Sequence, residues 1–310
     1  MNRKIIITSL FFLIVCTVYP QHKLTFEYAV KDTSHLMMDV YVPQQQNEEH
    51  SCMVFVFGGG FVSGARDDHQ ITKLQQYYND KGWVVIAIDY RLGLKGFKNY
   101  TLISGLEKFK NAIDMAGEDL ISATGFILDN FQQRPDFRIN PNHIVTLGSS
   151  AGAITVLQAD YFLGNRIHGT ELLPDTFRYA GVISFSGSIL SRKGKVKYRI
   201  QPPAPTLLCH GTEDHLVPYK QIRIFNQGMF GSNALAKRFS KFGYPFHIRR
   251  YTGLAHEVAG IYPREFNLID NFIAEFVFGK KQIQSDEIFY NPAIKRSKFG
   301  SYRIKDLKKL

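Results

Sequence analysis

Short apolar runs alternate with longer amphipathic segments along most of the chain. The short runs are rich in β-branched residues, whereas the longer segments repeat apolar residues at helical spacing. The run WVVIAI at residues 83–88 is apolar at every position, which is typical of a strand buried on both faces. The predicted strands are residues 24–30, 36–42, 53–57, 83–88, 144–147, 180–185, 206–209 and 247–251. The predicted helices are residues 67–78, 110–131, 151–161, 219–229 and 264–278.

This order predicts an α/β fold. Strands that alternate with helices form a mostly parallel central sheet, here of about eight strands, with helices on both faces. The first two strands follow each other closely and predict an antiparallel hairpin at one edge. Residues 164–178 and 191–204 are polar and marked by Gly or Pro, and we expect them to be loops that shape a substrate site.

The positive charge of the chain is concentrated at its C-terminal end. The formal net charge is +11, and residues 280–310 carry nine Lys or Arg against three Asp or Glu. We therefore interpret residues 280–310 as a basic C-terminal tail. The chain lacks RNA-binding aromatic motifs and metal-knuckle cysteine spacings, so no nucleic-acid partner is expected.

The N-terminal segment has the pattern of a secretory signal peptide. Residues 1–21 combine the basic start MNRK with an apolar run over residues 5–19. We expect cleavage near Gln21 and a secreted or periplasmic location, with no transmembrane span in the mature chain. Lipid attachment at Cys16 is an alternative, but Val15 before it fits that signal poorly.

Two cysteines remain after this segment. Cys52 precedes an apolar strand and Cys209 ends another, so in a parallel sheet they lie at opposite edges. That separation is too large for a disulfide, and we expect two buried free thiols.

The stretch GSSAG at residues 148–152 matches the pattern G-x-S-x-G. The strand HIVTL runs directly into it and the helical segment AGAITVLQADYFL runs directly out. A tight strand-to-helix turn of this kind lifts Ser150 above the carboxyl edge of the sheet, where open α/β sheets bind ligands. Ser150 is therefore the candidate nucleophile, although a tight turn with an incidental serine is the structural alternative.

A serine nucleophile needs a base, and the base needs an orienting acid. The expected chain order in this architecture is serine, acid, histidine. Asp214 follows the strand TLLC and is the candidate acid, with the adjacent Glu213 as an alternative. His256 follows the last predicted strand and is the candidate base. His210 and His215 flank the acid and are interpreted as structural or rim histidines, the commoner role of a single histidine.

Taken in order, the stretches FGGGF (57–61), DYRL (89–92), GSSAG, HGTED (210–214) and GLAH (253–256) resemble an α/β-hydrolase of the carboxylesterase kind. Within that family the chain is similar to the hormone-sensitive-lipase and feruloyl- or acetyl-esterase-like branches, and the resemblance covers about residues 23–279. It implies an α/β-hydrolase catalytic domain over residues 22–279. For the site it implies a triad of Ser150, Asp214 and His256, and an oxyanion hole formed by the backbone N–H groups of Gly59, Gly60 and Ala151.

One position departs from the family pattern. Phe57 stands where the related sequences carry the histidine of HGGG, a residue that generally positions the loop. Catalysis stays possible without that imidazole, but another group has to hold the glycine loop in place.

These features predict an exported serine esterase that acts through an acyl-enzyme, without cofactor or metal. The chain shows no long N-terminal cap segment, so we expect an open site and a small-molecule or saccharide ester, of short acyl or acyl-sugar type. A serine peptidase or amidase of the prolyl-oligopeptidase-like type is an alternative. A non-catalytic binding protein that keeps only the fold is another.

Overall fold

A nine-stranded sheet forms the centre of the molecule. The computed structural model describes residues 22–45, 48–96 and 102–297, so the predicted signal peptide with Cys16 and the last part of the predicted tail lie outside the described residues. The strands are β1 His22–Lys31, β2 Ser34–Val42, β3 His50–Val56, β4 Val84–Ile88, β5 Ile139–Ser149, β6 Gly181–Phe185, β7 Ser188–Ser191, β8 Thr206–Gly211, β9 Gln221–Ile224, β10 Gln227–Gly231, β11 Phe246–Tyr251 and β12 Gln284–Phe289. The helices are α1 His69–Asn79, α2 Leu102–Phe131, α3 Ala151–Leu163, α4 Ser232–Phe242 and α5 Phe266–Phe272, which continues into a π-helical turn at Ile273–Phe278. Short 3₁₀ helices lie at Thr170–Leu172, His256–Gly260 and Tyr262–Arg264.

The sheet is mostly parallel, as the alternation of elements predicts. Its strand order is β1-β2-β4-β3-β5-β6-β8-β11-β12. The β1–β2 and β2–β4 pairs are antiparallel, and the other neighbours in this sheet are parallel. The carboxyl ends of β5, β8 and β11 therefore meet at one edge, and the segments that follow these strands are neighbours in space.

Helices cover both faces of the sheet. On one face α1 and α5 lie together, with the rings of Tyr77 and Phe266 stacked at 4.2 Å between centroids. On the other face α2 packs against α3, and Tyr198 bridges from α3 to α4 through Asp160 and Phe239. The apolar residues at helical spacing in α2 are fully buried, as is every residue of β4, which confirms the predicted helix and the predicted strand buried on both faces. These residues of α2 are Ile113, Ala116, Leu120, Ala123 and Ile127.

The predicted helix at residues 219–229 is wrong. This segment forms the hairpin of β9 and β10, which joins β7 in a separate three-stranded sheet of order β7-β10-β9. All four residues of β9 are exposed, whereas an amphipathic helix would bury the apolar residues of one face. The helix of this region is α4, which buries Leu235, Ala236 and Phe239 at helical spacing.

The sheet extends beyond the predicted domain boundary at residue 279. Strand β12 lies within the segment interpreted as a tail and pairs with β11 in parallel register. Ion pairs between neighbouring side chains hold it there, because Arg249 binds Glu287 and Arg250 binds Asp286. The first part of the basic segment is therefore the ninth strand of the sheet.

The two cysteines are free and buried, which confirms the prediction. Cys52 lies on β3 and Cys209 on β8, with β5 and β6 between these strands. Burial raises the pKa of both thiols well above the usual value, so they stay protonated. Within the described residues no helix is long and apolar enough to cross a membrane.

Candidate active site

Ser150 lies at a sharp turn between β5 and α3. Its backbone has φ 54° and ψ −115°, a region that non-glycine residues rarely occupy. The Ser150 N–H donates to the Phe185 carbonyl at the end of β6, which holds the turn against the sheet. A Cβ atom on Gly152 would lie 2.0 Å from the Val56 carbonyl oxygen, so only glycine lets α3 start this close to β3. The last glycine of the G-x-S-x-G pattern is thus required by packing.

The three predicted triad residues are brought into one hydrogen-bonded chain. Ser150 Oγ lies 2.7 Å from His256 Nε2, and His256 Nδ1 lies 2.8 Å from Asp214 Oδ2. A carboxylate only accepts, so Nδ1 carries the proton and Nε2 is free to accept one from the serine hydroxyl. Asp214 and His256 are both buried, which removes water that would weaken these contacts. The residues come from segments 42 and 106 positions apart.

The loop after β8 selects Asp214 as the partner of His256. Asp214 Oδ1 accepts the N–H groups of Leu216 and Val217, both at 3.0 Å, which fixes the orientation of its carboxylate. The alternative acid, Glu213, is exposed, and so is His215. The structure therefore places Asp214 and not Glu213 beside the histidine.

His210 contacts the acid, which the sequence interpretation did not anticipate. It is fully buried, and its Nε2 lies 3.3 Å from Asp214 Oδ2 and 3.2 Å from the Val217 carbonyl. Both partners accept, so Nε2 carries the proton and Nδ1 accepts from the Ser232 hydroxyl at 2.8 Å. Burial alone would raise the pKa of Asp214, but hydrogen bonds from His210 and His256 lower it well below the usual value. The available signal was its place at the end of β8, four residues before the acid.

The glycine loop after β3 lies against the serine turn. A Cβ on Gly58 would be 3.2 Å from the Cβ of Ser150, which places this loop beside the candidate nucleophile. Gly59 has φ 126°, a conformation open to glycine and strained for other residues. In the part of the chain that the structure describes, the N–H groups of Gly59, Gly60 and Ala151 have no hydrogen-bond acceptor. These three donors are the ones that the family resemblance implies for an oxyanion hole.

Phe57 is held by Tyr90 of the DYRL stretch. The two rings stack at 4.5 Å between centroids, and the Tyr90 hydroxyl donates to the Phe57 carbonyl at 3.1 Å. The neighbouring Asp89 is fixed by Arg66, which also pairs with Asp39 on β2. Stacking and one hydrogen bond thus anchor the chain at the position where related sequences carry histidine.

The two polar stretches expected to shape the site run largely elsewhere. Residues 164–178 follow the C-terminus of α3, and the Ala180 N–H donates to the carbonyl of Ile144, the first residue of the fully buried part of β5. This is the amino edge of the sheet, opposite Ser150. Residues 191–204 descend to the same edge, where N–H groups of this stretch donate to the Gly164 carbonyl. The expectation is wrong for the first stretch, and for the second it is wrong at the lower end, because α3 carries the chain away from the site.

The sequence of the chain matches a known protein family. The model of the carboxylesterase family matches residues 16–191, more than half of the chain. A medium-chain fatty acyl-CoA hydrolase precursor from Anas platyrhynchos is 32% identical over 123 residues, which is 39% of this chain and 20% of that protein. Carboxylesterase 1D from Mus musculus is 29% identical over 123 residues, with the same coverage. The chain therefore spans only about a fifth of the length of these curated relatives.

Solved structures share the fold over most of the chain. A thermophilic esterase from Thermogutta terrifontis, solved with butyrate, superposes with a TM-score of 0.58 at 21% identity. The match covers 82% of this chain and 94% of that one. The apo form of esterase 2 from the same organism has a TM-score of 0.59 at 22% identity over 82% and 95% of the two chains. The chain has the α/β-hydrolase fold and belongs to the carboxylesterase family.

Proposed function

We propose that the protein is a serine hydrolase of carboxylic esters. The observation that carries the proposal is the hydrogen-bonded chain from Ser150 through His256 to Asp214, with contacts of 2.7 and 2.8 Å. A serine hydroxyl becomes a useful nucleophile when a positioned base takes its proton, and this geometry fits that need. Family membership supports the same reaction class.

In the proposed mechanism, Ser150 Oγ attacks the ester carbonyl while His256 Nε2 takes the hydroxyl proton. Asp214 accepts from Nδ1–H and stabilises the imidazolium that forms. The tetrahedral oxyanion accepts N–H bonds from Gly59, Gly60 and Ala151. His256 then protonates the departing alcohol and leaves an acyl-enzyme on Ser150. Water, activated by the same imidazole, releases the acid and restores the serine.

The proposal includes the three oxyanion donors because their N–H groups are available to bind an anion. They are unpaired among the described residues and lie beside the nucleophile, so an anion can bind without breaking existing bonds. Loss of one such donor typically reduces kcat by about 100-fold or more. The Gly59 carbonyl accepts from Val62 and Ser63, which turns the chain back on itself and keeps the loop closed.

The finer substrate class that we propose is a short acyl ester, including acyl groups on saccharides. Its support is that the Thermogutta terrifontis esterase of the same fold was solved with butyrate. We also propose export, which rests on residues 1–21 of the sequence alone.

The test is an activity panel with a matched serine control. Purified protein is assayed on p-nitrophenyl acetate, butyrate and decanoate, and on acetylated and feruloylated saccharides. Ser150→Ala is expected to lower kcat by at least about 10⁴-fold with unchanged folding. Ser240→Ala, at an exposed position on α4, is the control and is expected to retain full activity. Equal activity of Ser150→Ala and the wild type would refute the mechanism.

The same panel separates the alternatives. Aminoacyl p-nitroanilides are assayed beside the aryl acetates, because amide hydrolysis uses the same residues but needs protonation of a poorer leaving group. Faster amide turnover would favour the peptidase or amidase. No turnover, together with no labelling of Ser150 by a fluorophosphonate in folded protein, would favour a binding protein.

A further inference from the structure

The β9–β10 hairpin exposes three apolar side chains at one end of the small sheet. Ile222 and Ile224 on β9 are 46% and 55% exposed, and Phe225 at the turn is 93% exposed. Strand β9 is the edge of the three-stranded sheet and is exposed along its whole length. Contiguous apolar side chains of this kind on a surface indicate an interaction site.

The turn places Phe225 in an unfavourable backbone conformation. Phe225 and Asn226 form a two-residue turn, because Ile224 pairs with Gln227 across the hairpin. Phe225 has φ 52°, where Asn and Gly are favoured and an aromatic residue is strained. Since its side chain gains no burial in return, the fold itself does not explain the choice of phenylalanine. A role outside the molecule does.

A strongly basic cavity lies at the base of the same hairpin. Its volume is about 510 Å³, and it is lined by Lys195, Lys220, Gln221, Phe230, Asn233, Ala234, Lys237 and Arg238. No acidic residue lines it, and none of its four cationic side chains has an ion-pair partner among the described residues. By contrast, Arg249 and Arg250 on β11 both bind carboxylates.

One of these cations has a donor left over. Arg238 is anchored because its Nε donates to the Val196 carbonyl at 3.0 Å and its guanidinium lies over the Phe242 ring. Its Nη2 is shielded from solvent and has no hydrogen-bond partner. Arg238 is therefore held at the wall of the cavity by contacts that leave its positive charge without an ion-pair partner among the described residues.

A hydrogen bond joins the lysine-containing segment around Gly194 to the apolar turn of the hairpin. The Gly194 N–H donates to the Asn226 carbonyl, so Lys193 and Lys195 stand beside the turn. From Gln221 to Phe225 the strand advances roughly 13 Å at about 3.3 Å per residue. This length is comparable to the depth of a bilayer's headgroup region plus the first part of its acyl region.

We propose that this hairpin surface, consisting of Ile222, Ile224 and Phe225 with the cationic cavity at its base, docks the protein onto an anionic phospholipid surface. The apolar turn enters the boundary of the acyl chains, and the cavity receives headgroup phosphates. Phosphate oxygens match the unpaired positive charge of the cavity. Strand β7 of the same small sheet begins three residues after Phe185, whose carbonyl accepts from the Ser150 N–H. The docked sheet is thus connected through β7 to the turn that carries Ser150.

The test is co-sedimentation with vesicles of phosphatidylcholine containing 30% phosphatidylglycerol, compared with phosphatidylcholine alone. Wild type is expected to bind the anionic vesicles, and less at high salt. Phe225→Asn is expected to weaken binding at least about tenfold, because the aromatic side chain that enters the membrane in the docked state is lost. Lys237→Gln is expected to weaken it about fivefold, the effect of one cation near a charged surface.

Three controls make the result specific. Phe225→Asn suits the positive φ, so its thermal unfolding is expected at or above the wild-type temperature. Leu172→Asn removes an apolar side chain that is 57% exposed outside this surface and is expected to bind like wild type. Ser150→Ala is expected to bind vesicles normally, so failure of docking and failure of the proposed hydrolysis are distinguishable.

Several results would overturn the proposal. Equal binding to neutral vesicles, or no binding by the wild type, excludes an anionic lipid surface. Binding that survives Phe225→Asn unchanged assigns it to the basic C-terminal segment instead. A dimer in size-exclusion chromatography that Phe225→Asn dissociates, without vesicle binding, shows that the surface pairs with a second copy.

Discussion

Asp160 makes the stability of the fold depend on pH in an unusual direction. Its side chain is buried on α3, where Oδ1 accepts the Ala204 N–H at 3.1 Å and Oδ2 accepts the Tyr198 hydroxyl at 3.2 Å. No cation binds it directly among the described residues. Burial therefore raises the pKa of Asp160 from 3.8 to about 7, although both hydrogen bonds favour the charged form.

The sign follows from the proton counts of the two states. Between about pH 4 and 7 the folded protein keeps a proton on Asp160 that the unfolded chain has released. Stability is therefore lost as the pH rises through this range, and is recovered on acidification. Each pH unit is worth about 1.4 kcal/mol, so ionisation of Asp160 removes about 4 kcal/mol over the whole range.

Asn has the shape of Asp but does not titrate. In Asp160→Asn the amide oxygen replaces the carboxylate oxygen that accepts from the Ala204 N–H. We expect the stability of the variant, relative to the wild type, to rise by about 2–3 kcal/mol between pH 5 and pH 8. The measurement is urea unfolding of both proteins at pH 5, 6, 7 and 8.

Asp129→Asn, at an exposed position on α2, is the matched control. Its difference from the wild type is expected to stay within about 0.5 kcal/mol at every pH. A difference between Asp160→Asn and the wild type that does not change with pH would show that burial does not govern this carboxyl.

Two further predictions concern groups that support the candidate active site. Tyr90→Phe keeps the ring stack on Phe57 but loses the hydroxyl bond, so we expect about 1 kcal/mol lower stability and a several-fold lower kcat at unchanged KM; an unchanged kcat would contradict a role in positioning the loop. His210→Phe removes a donor to Asp214, so we expect about tenfold lower kcat/KM and an acidic limb of its pH profile shifted to higher pH. A loss confined to thermal stability would reduce His210 to a structural role.

The layered fold and the order of the site residues could be predicted without coordinates. Strands such as β4 are apolar on both faces because helices cover them, and that requirement is visible residue by residue. The serine turn is equally local, since a strand, small residues and a helix follow one another directly at Ser150. The choice between Asp214 and Glu213 was not local, because it depends on which carboxylate faces the distant His256.

Segments with weak local signals were misjudged or missed. The hairpin at residues 221–231 carries apolar side chains that face away from the molecule, so the usual link between apolar pattern and burial fails there. Strand β12 contains charged residues that form cross-strand ion pairs with β11. By composition alone, these residues resemble a solvated charged tail.

The sequence by itself determined the architecture and singled out the candidate nucleophile, acid and base in their order, because these depend on patterns within short segments. Only the tertiary structure decided what supports them. Tyr90 reaches the Phe57 carbonyl from 33 residues away, and Asp214, which His210 contacts from the end of β8, meets His256 across two strand ends. Contacts of this kind arise when the sheet brings distant strand ends to one edge, so no spacing along the chain records them.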